Sequence, residues 1–539
     1  MGITFRVKQI ELTQFIFLLA GYFLGLFYSC SKKVDTRQST PISTDTSAPR
    51  LSVDSAQLHL SNRPNSSDSF TISSNITWTI SYDGDAGKWI QVNTLDGDHN
   101  QKILVSTIFG NLADTLRRAT ITISGPNDSL VQPRAITVNQ LPLTTEFPFR
   151  NVYGGAGYNV LFGFVPTGDG GYVAVGSSSG NDGDATGNHG SNDMWVIKLD
   201  AMGKRVWQHQ YGGSSSDIGY SITRSQDGGY LAVGSTLSND YDVSGNNGGT
   251  DIWVVKTDAS GNKQWTKCYG TSGDETGYSV VAANDGGYII IGGNYGIRLF
   301  KIDANGNKLW QLPAYGSPLH IPLAGWWACH AVDNGYVVVG TSNEISKGLI
   351  DTAHGGMDIW IAKIDDNGNV IWNHEYGGTL DDIPYYVDST RDGGYLITGS
   401  TNSFNIDVTN YHGLGDLWVI KTDASGNMKW QKTYGGSGTD LGYSSANIPG
   451  GGYLIAGSTS SRDGDISFYH GGASDGWLLT LDAYGNLNSQ KTIGGSQTDQ
   501  IYLVRLIGAG KYQLAGGTTS FDGDIIGANG FPDGWMMKF

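Results

Sequence analysis

Residues 211–270 read YGGSSSDIGYSITRSQDGGYLAVGSTLSNDYDVSGNNGGTDIWVVKTDASGNKQWTKCYG. Four runs stand out, GYSITR, GGYLAVGS, DIWVVKTD and KQWTKCYG, each rich in β-branched and aromatic residues and bounded by Gly, Asp, Asn and Ser. Short runs of that composition between turn residues read as strands, and no helical period competes with them. The stretch is therefore a four-stranded unit that begins and ends on a Tyr-Gly pair.

The unit recurs. Tyr-Gly-Gly or a variant starts at Tyr153, Tyr211, Tyr269, Tyr315, Tyr376 and Tyr434 and, as Ile-Gly-Gly, at Ile493, with intervals of 58, 58, 46, 61, 58 and 59 residues. Three aromatic columns run through the copies. Ten residues before the second-strand Tyr172, Tyr230, Tyr288, Tyr336, Tyr395, Tyr453 and Tyr512 stand Phe162, Tyr220, Tyr278, Trp326, Tyr385, Tyr443 and Tyr502. The third strand carries Trp195, Trp253, Phe300, Trp360, Trp418, Trp477 and Trp535. Four antiparallel strands repeated seven times predict a β-propeller of seven blades over residues 146–539. The last copy stops at its third strand, Asp533–Phe539, while Phe149 precedes Tyr153 by the four residues that separate Trp207, Trp265, Trp372 and Trp430 from the next Tyr. The expectation is that the segment around Phe149 supplies the outermost strand of the last blade, closing the ring and removing an exposed edge.

Composition bounds the remaining choices. The chain has 539 residues with 79 Gly but 14 Pro, and enough aromatics to fill a large core, so it is neither disordered nor collagen-like. A net charge of −16, with no basic run after residue 33, argues against nucleic acid as a partner. Three Cys exclude a disulfide scaffold.

Upstream of the repeats the pattern changes twice. Arg6 and Lys8 precede an uncharged apolar run, Phe15 to Tyr28, too short to span a bilayer comfortably but suited to a signal peptide. Ser29 directly before Cys30, then Ser31-Lys32-Lys33, resembles a bacterial lipoprotein signal, although Phe27 stands where that family has Leu and Leu26 lies one place earlier. The resemblance implies that residues 1–29 are removed and Cys30 is acylated; an uncleaved anchor is the alternative, and it too tethers the chain to a membrane. Residues 30–50, rich in Ser and Thr, read as a flexible tether.

From 51 to 142, runs such as SFTISS, TWTISY, KILVSTI and RRATITISG alternate with period two, the signature of an antiparallel sandwich of about seven strands. Trp78 and Trp89, the Asn111–Arg118 spacing before ATITIS, and the closing Ile136-Thr137-Val138-Asn139-Gln140 resemble the BACON domain, an immunoglobulin-like module common in exported proteins of Bacteroidota. The resemblance implies either carbohydrate binding or a spacer between membrane and working domain, and the spacer is preferred. Both Trp lie in alternating apolar runs and are expected in the core.

The long loops between second and third strands carry Asp182/Asp184, Asp240/Asp242, Asp463/Asp465 and Asp522/Asp524. Hard oxygen ligands at alternate positions suit Ca²⁺, but the third Asp and closing Glu of an EF-hand are missing, so calcium competes with Asx-type turns that satisfy backbone N–H groups. Asp193, Asp251, Asp358, Asp416, Asp475 and Asp533 before the third-strand aromatic, and Asp217, Asp274, Asp382, Asp440 and Asp499 before the inner strand, are expected to be scaffolding. So are His189, His354, His412 and His470. The Asp-x-x-Gly-Asn-x-x-Trp turns resemble quinoprotein propeller repeats, but neither eight blades nor a Cys-Cys pair is visible, and no cofactor is called for.

Irregular copies point to a site. Copy three is short and holds Tyr295 and Arg298; copy four has His320 and the doubled Trp326-Trp327; copy five doubles Tyr385-Tyr386. Trp327, Tyr386, Arg298, Tyr295 and His320 are the candidate ligand-binding residues, since flat aromatics with a few polar groups suit a sugar. The fold class expected is all-β, an immunoglobulin-like sandwich followed by the seven-bladed propeller. The function expected is non-enzymatic recognition of a glycan or glycoprotein by a monomeric, lipid-anchored protein of the cell envelope, on an undetermined side of the outer membrane. Two alternatives are a scaffold for another envelope protein and a polysaccharide hydrolase or lyase.

Overall fold

The computed structural model describes residues 48–61, 66–84, 86–108, 111, 116–126, 131–141, 149–293, 296–312, 324–343, 354–508, 510–525, 527–528 and 532–538. Residues 1–29, expected as a signal peptide, and Cys30, Tyr295 and His320 lie outside them. The described residues are all-β apart from one 3₁₀ turn, Ala86–Lys88.

Between residues 51 and 140 there are two sheets. One orders Leu51–Val53, Ser67–Ser74, Gln101–Thr107 and Ile90–Val92; the other orders Gln57–Leu60, Arg134–Gln140, Arg117–Ser124, Trp78–Tyr82 and Asp96–Gly97. Burial alternates along the strands, as in Arg117–Ser124, where Ala119, Ile121 and Ile123 point in. Trp78 and Trp89 are both buried, and the Trp78 indole donates to the His99 carbonyl (3.0 Å). One pairing departs from the antiparallel expectation: Gln57–Leu60 runs parallel to Arg134–Gln140. A parallel pair needs a long connection, and these two segments come from the opposite ends of the region.

From residue 149 onward there are seven four-stranded antiparallel sheets among the described residues. The second is typical, with Asp217–Arg224, Tyr230–Thr236, Asp251–Thr257 and Lys263–Tyr269 in chain order. Its second and third strands are buried along their whole length, which is why they read as continuous apolar runs. Six sheets use consecutive strands. The seventh combines Asp499–Gly508, Lys511–Thr518 and Asp533–Lys538 with Phe149–Tyr153, whose residues pair Val152 with Trp535 and Tyr153 with Gly534.

The inner strands are Asn159–Pro166, Asp217–Arg224, Gly277–Ala282, Ala324–His330, Asp382–Ser389, Asp440–Asn447 and Asp499–Gly508. Each touches the next, and the last touches the first. Every inner strand has a β-bulge at the same place, for example between Leu161 and Gly163 or between Gly219 and Ser221. The residue left out of the ladder is the column aromatic: Phe162, Tyr220, Tyr278, Trp326, Tyr385, Tyr443 and Tyr502. A bulge re-aims the side chain it carries. These seven rings form an unbroken circuit, each 4.8–5.7 Å from the next and Tyr502 returning to Phe162.

Neighbouring sheets are latched at their outer strands. The Tyr376 hydroxyl donates to the Gly426 carbonyl in the turn of the following sheet, and Tyr153, Tyr211, Tyr269 and Tyr434 make the same contact to Gly203, Gly261, Gly306 and Gly485. Gly426 has φ +84°, and a Cβ there would meet Trp372 and His374 at 2.6 Å. Only Gly admits both the turn and the approach of the Trp face.

Candidate functional site

The residue after each bulge aromatic faces the neighbouring inner strand. Ser221, Ser279 and Ser444 accept, through Oγ, hydrogen bonds from the backbone N–H of Val280 (3.3 Å), Ala328 (3.4 Å) and Val504 (2.8 Å). In the first and seventh sheets the position holds Gly163 and Leu503, and in the fourth and fifth it holds Trp327 and Tyr386. Their rings pair at 4.9 Å and 36° and line a cavity of about 320 Å³ enclosed by the inner strands.

Two residues further along each strand stands a second column, Val165, Thr223, Val281, Cys329, Asp388, Ala446 and Arg505, and all but Ala446 line the cavity. Of these, Asp388 and Arg505 are charged, and both line the cavity. Loss of solvent pushes the Asp388 carboxyl up to about 6, against the opposing pull of the Arg505 charge and of the Ser389 N–H, which donates to it at 2.9 Å. Burial drives the Tyr386 phenol and the Cys329 thiol well above their ordinary values, and lowers the His330 imidazole. Arg505 Nε is buried with no hydrogen-bond acceptor. The cavity thus combines an aromatic face, a carboxyl and a cation with an unanswered donor. Glycoside hydrolysis uses two carboxyl groups, and among the described lining residues Asp388 is the one carboxyl.

The structure brings two of the sequence candidates together, Trp327 and Tyr386, but not Arg298. The Arg298 guanidinium instead pairs with Glu275 at 2.7 Å. The β-bulge between Gly325 and Trp327, and between Pro384 and Tyr386, breaks two-residue alternation and is what places Trp327 and Tyr386. Asp388 and Arg505 were missed. Their signal lies three residues after Tyr385 and Tyr502, where the other copies hold an uncharged residue.

The acidic loop residues meet backbone and basic side chains. Asp182, Asp240, Asp463 and Asp522 accept from the N–H of Ala156 (2.6 Å), Ser214 (2.8 Å), Ser437 (2.7 Å) and Ser496 (2.7 Å). Those backbone bonds hold the carboxyls of Asp240, Asp463 and Asp522 below their usual range. Asp184 pairs with Arg205 (3.2 Å) and Asp242 with Lys263; Asp465 accepts from the Gly435 N–H (3.1 Å), and Asp524 lies 3.4 Å from His470 and 3.8 Å from Lys491. Among the described residues no three His, Cys, Asp or Glu side chains converge as a metal-binding group.

The other acids form buried pairs where one sheet meets the next. Asp193 faces Asp217, Asp358 faces Asp382 and Asp475 faces Asp499 across the Gly of the connecting segment, and all six are fully buried. His189 and His470 hold the first member through backbone N–H and ring Nδ1, as His412 holds Asp416, and the His354 N–H donates to Asp358 (2.8 Å). The remaining oxygen, Oδ1 of Asp193, Asp358, Asp416 and Asp475, has no partner. Burial raises Asp193, Asp217, Asp416, Asp440 and Asp499, and carries Asp358 to about 7 and Asp382 to about 6. Two junctions differ in the partner of the first acid, although the Asp251 Oδ1 also lacks a hydrogen bond. Asn159 replaces the acid and donates to Asp533 (3.2 Å), and Arg298 neutralises Glu275 beside Asp251. Glu275, rather than the expected Asp274, is the buried acid there; Asp274 accepts from the Thr250 N–H instead.

No family model matches the sequence, and no curated protein matches it. Among solved structures the chain is similar to a Bacteroides thetaiotaomicron protein of unknown function, at 11% identity and TM-score 0.33 over 92% of this chain and 99% of that one. A Bacteroides caccae protein of unknown function matches at 13% and 0.32 over 57% of this chain and 92% of the other. The Pan2 WD40 domain of Neurospora crassa matches at 10% and 0.39 over 71% of this chain and 89% of that domain.

Proposed function

We propose that the repeat region is a closed seven-bladed propeller that binds a glycan in its axial cavity without transforming it. We further propose that it is carried on an exported, lipid-anchored chain behind a BACON-like spacer. The observation that carries the binding reading is the Trp327–Tyr386 pair. Two adjacent sheets carry large aromatics where three others make the serine contact, and they present aromatic surface to a cavity that also offers hydrogen-bonding groups. Sugars stack their C–H faces on such rings and bond through hydroxyls. The reading needs no metal; calcium belongs to it only as a loop stabiliser, which chelation would reveal as a lower Tm.

Titration of the full chain, in detergent, against a glycan array tests the binding. Trp327→Ala is expected to abolish it while leaving the Tm within a few degrees, and binding that survives this change would remove the cavity from consideration. Cys30→Ala is expected to abolish palmitate labelling and release the protein from the membrane fraction.

One observation favours the docking alternative. Leu237, Tyr241, Phe404, Ile406, Phe468 and Phe521 are all exposed on the loops between second and third strands. Co-purification of an envelope protein, lost when Tyr241, Phe404 and Phe468 are changed to Ser, would assign that loop face to a protein partner.

A further inference from the structure

We propose that the axial cavity selects a sugar bearing a carboxylate, a hexuronic acid residue, with the carboxylate held by Arg505, the ring face against Trp327 and a hydroxyl donating to Asp388. The inference rests on the glycan-binding reading above and adds the chemical class of the ligand.

Arg505 is the first reason. The column it occupies holds Val165, Thr223, Val281, Cys329 and Ala446 in five other sheets, so nothing in the repeat requires a cation there. A long charged side chain at the axis of a ring is expensive unless its donors are answered. Its Nε is buried and makes no hydrogen bond. The guanidinium fork matches a carboxylate through two parallel N–H···O bonds, and that pairing is among the stronger ones in proteins.

Asp388 is the second. Its carboxyl accepts from the Ser389 N–H, which leaves acceptor capacity on the side facing the cavity. An acceptor beside a cation fits a ligand that carries hydroxyl donors together with one negative charge. A sulfate dianion would face the Asp388 carboxyl with no hydroxyl to offer it. The free C-terminus of a peptide brings the carboxylate but not the hydroxyl-bearing ring that Trp327 and Asp388 would meet together.

The global charge narrows the class further. At −16 the chain repels a polyanion over roughly a Debye length, about 8 Å at physiological salt, so a single uronate at a chain end suits it better than a long acidic polymer.

The test is isothermal titration of the full chain in detergent. The ligands are the methyl glycosides of glucuronic, galacturonic, mannuronic and iduronic acids, each beside its neutral hexose counterpart, with a short peptide having a free C-terminus as a further ligand. At least one uronide is expected to bind about tenfold or more tightly than its neutral partner. Arg505→Gln should erase that preference, bringing the uronide down to the affinity of its neutral partner in the same variant, and Arg505→Lys should retain only part of it. A melting curve on each variant checks that it folds. Equal affinity for acid and neutral sugars, or a preference unchanged in both Arg505 variants, overturns the carboxylate inference and leaves glycan recognition standing. Binding of the peptide in place of every sugar, or of none of these ligands, overturns the inference and removes the glycan reading of the cavity with it.

Discussion

Asp358 shows what a single residue does in this fold. Its Oδ2 accepts from the His354 N–H, while its Oδ1 lies against Asp382 with no donor, and burial lifts its carboxyl to about 7. A folded-state value above the unfolded one means that the native state holds the extra proton, so stability falls as pH climbs from about 4 through about 7. Asp358→Asn places an N–H where the orphan oxygen sits and keeps an acceptor for His354, which is what Asn159 already does opposite Asp533. The variant should match the parent near pH 4 and exceed it at pH 8 by about 1–2 kcal/mol, read from urea midpoints at the two pH values. The same comparison at Asp193, where His189 Nδ1 also touches the carboxyl, should give a smaller gain.

At the scale of elements, the latch between sheets makes the next prediction. Gly426→Ala forces a side chain onto φ +84° and into the Trp372 and His374 rings, at a cost of about 2–3 kcal/mol in chemical unfolding. Tyr376→Phe, which removes the hydroxyl donated to Gly426, should cost about 1 kcal/mol. Strands and turns were legible in the sequence because they repeat. Tyr220 and Trp253 stand in columns, and Asp-x-x-Gly-Asn marks the turns that receive the tyrosines. The axial cavity was only half legible for the same reason. Trp327 and Tyr386 announce themselves as doubled aromatics, but Asp388 and Arg505 belong to a column whose position depends on the bulge, and a one-residue register shift is invisible to a two-residue period. The sequence pattern marks the buried acids one by one as scaffolding residues. That they pair between sheets follows from a contact over some twenty-four residues, as from Asp358 to Asp382, that no local pattern encodes.

For the whole molecule, the seventh sheet decides integrity. Asp533–Lys538 is hydrogen-bonded on one side to Lys511–Thr518 and on the other to Phe149–Tyr153. A chain ending at Pro532 would leave two bare strand edges, and it should expand in small-angle scattering, become protease-sensitive near Arg150 and aggregate. Removal of the segment before Pro49, by contrast, should leave the melting transition in place. The closing strand also fixes when the protein can mature. Phe149–Tyr153 leaves the ribosome about 380 residues ahead of the strand it must meet, a wait on the order of tens of seconds at ordinary elongation rates. Through that interval six sheets can assemble in order of synthesis while the first-made strand stays unmatched, so a cell that makes this chain has reason to keep it bound to a holding factor until the closing strand is made.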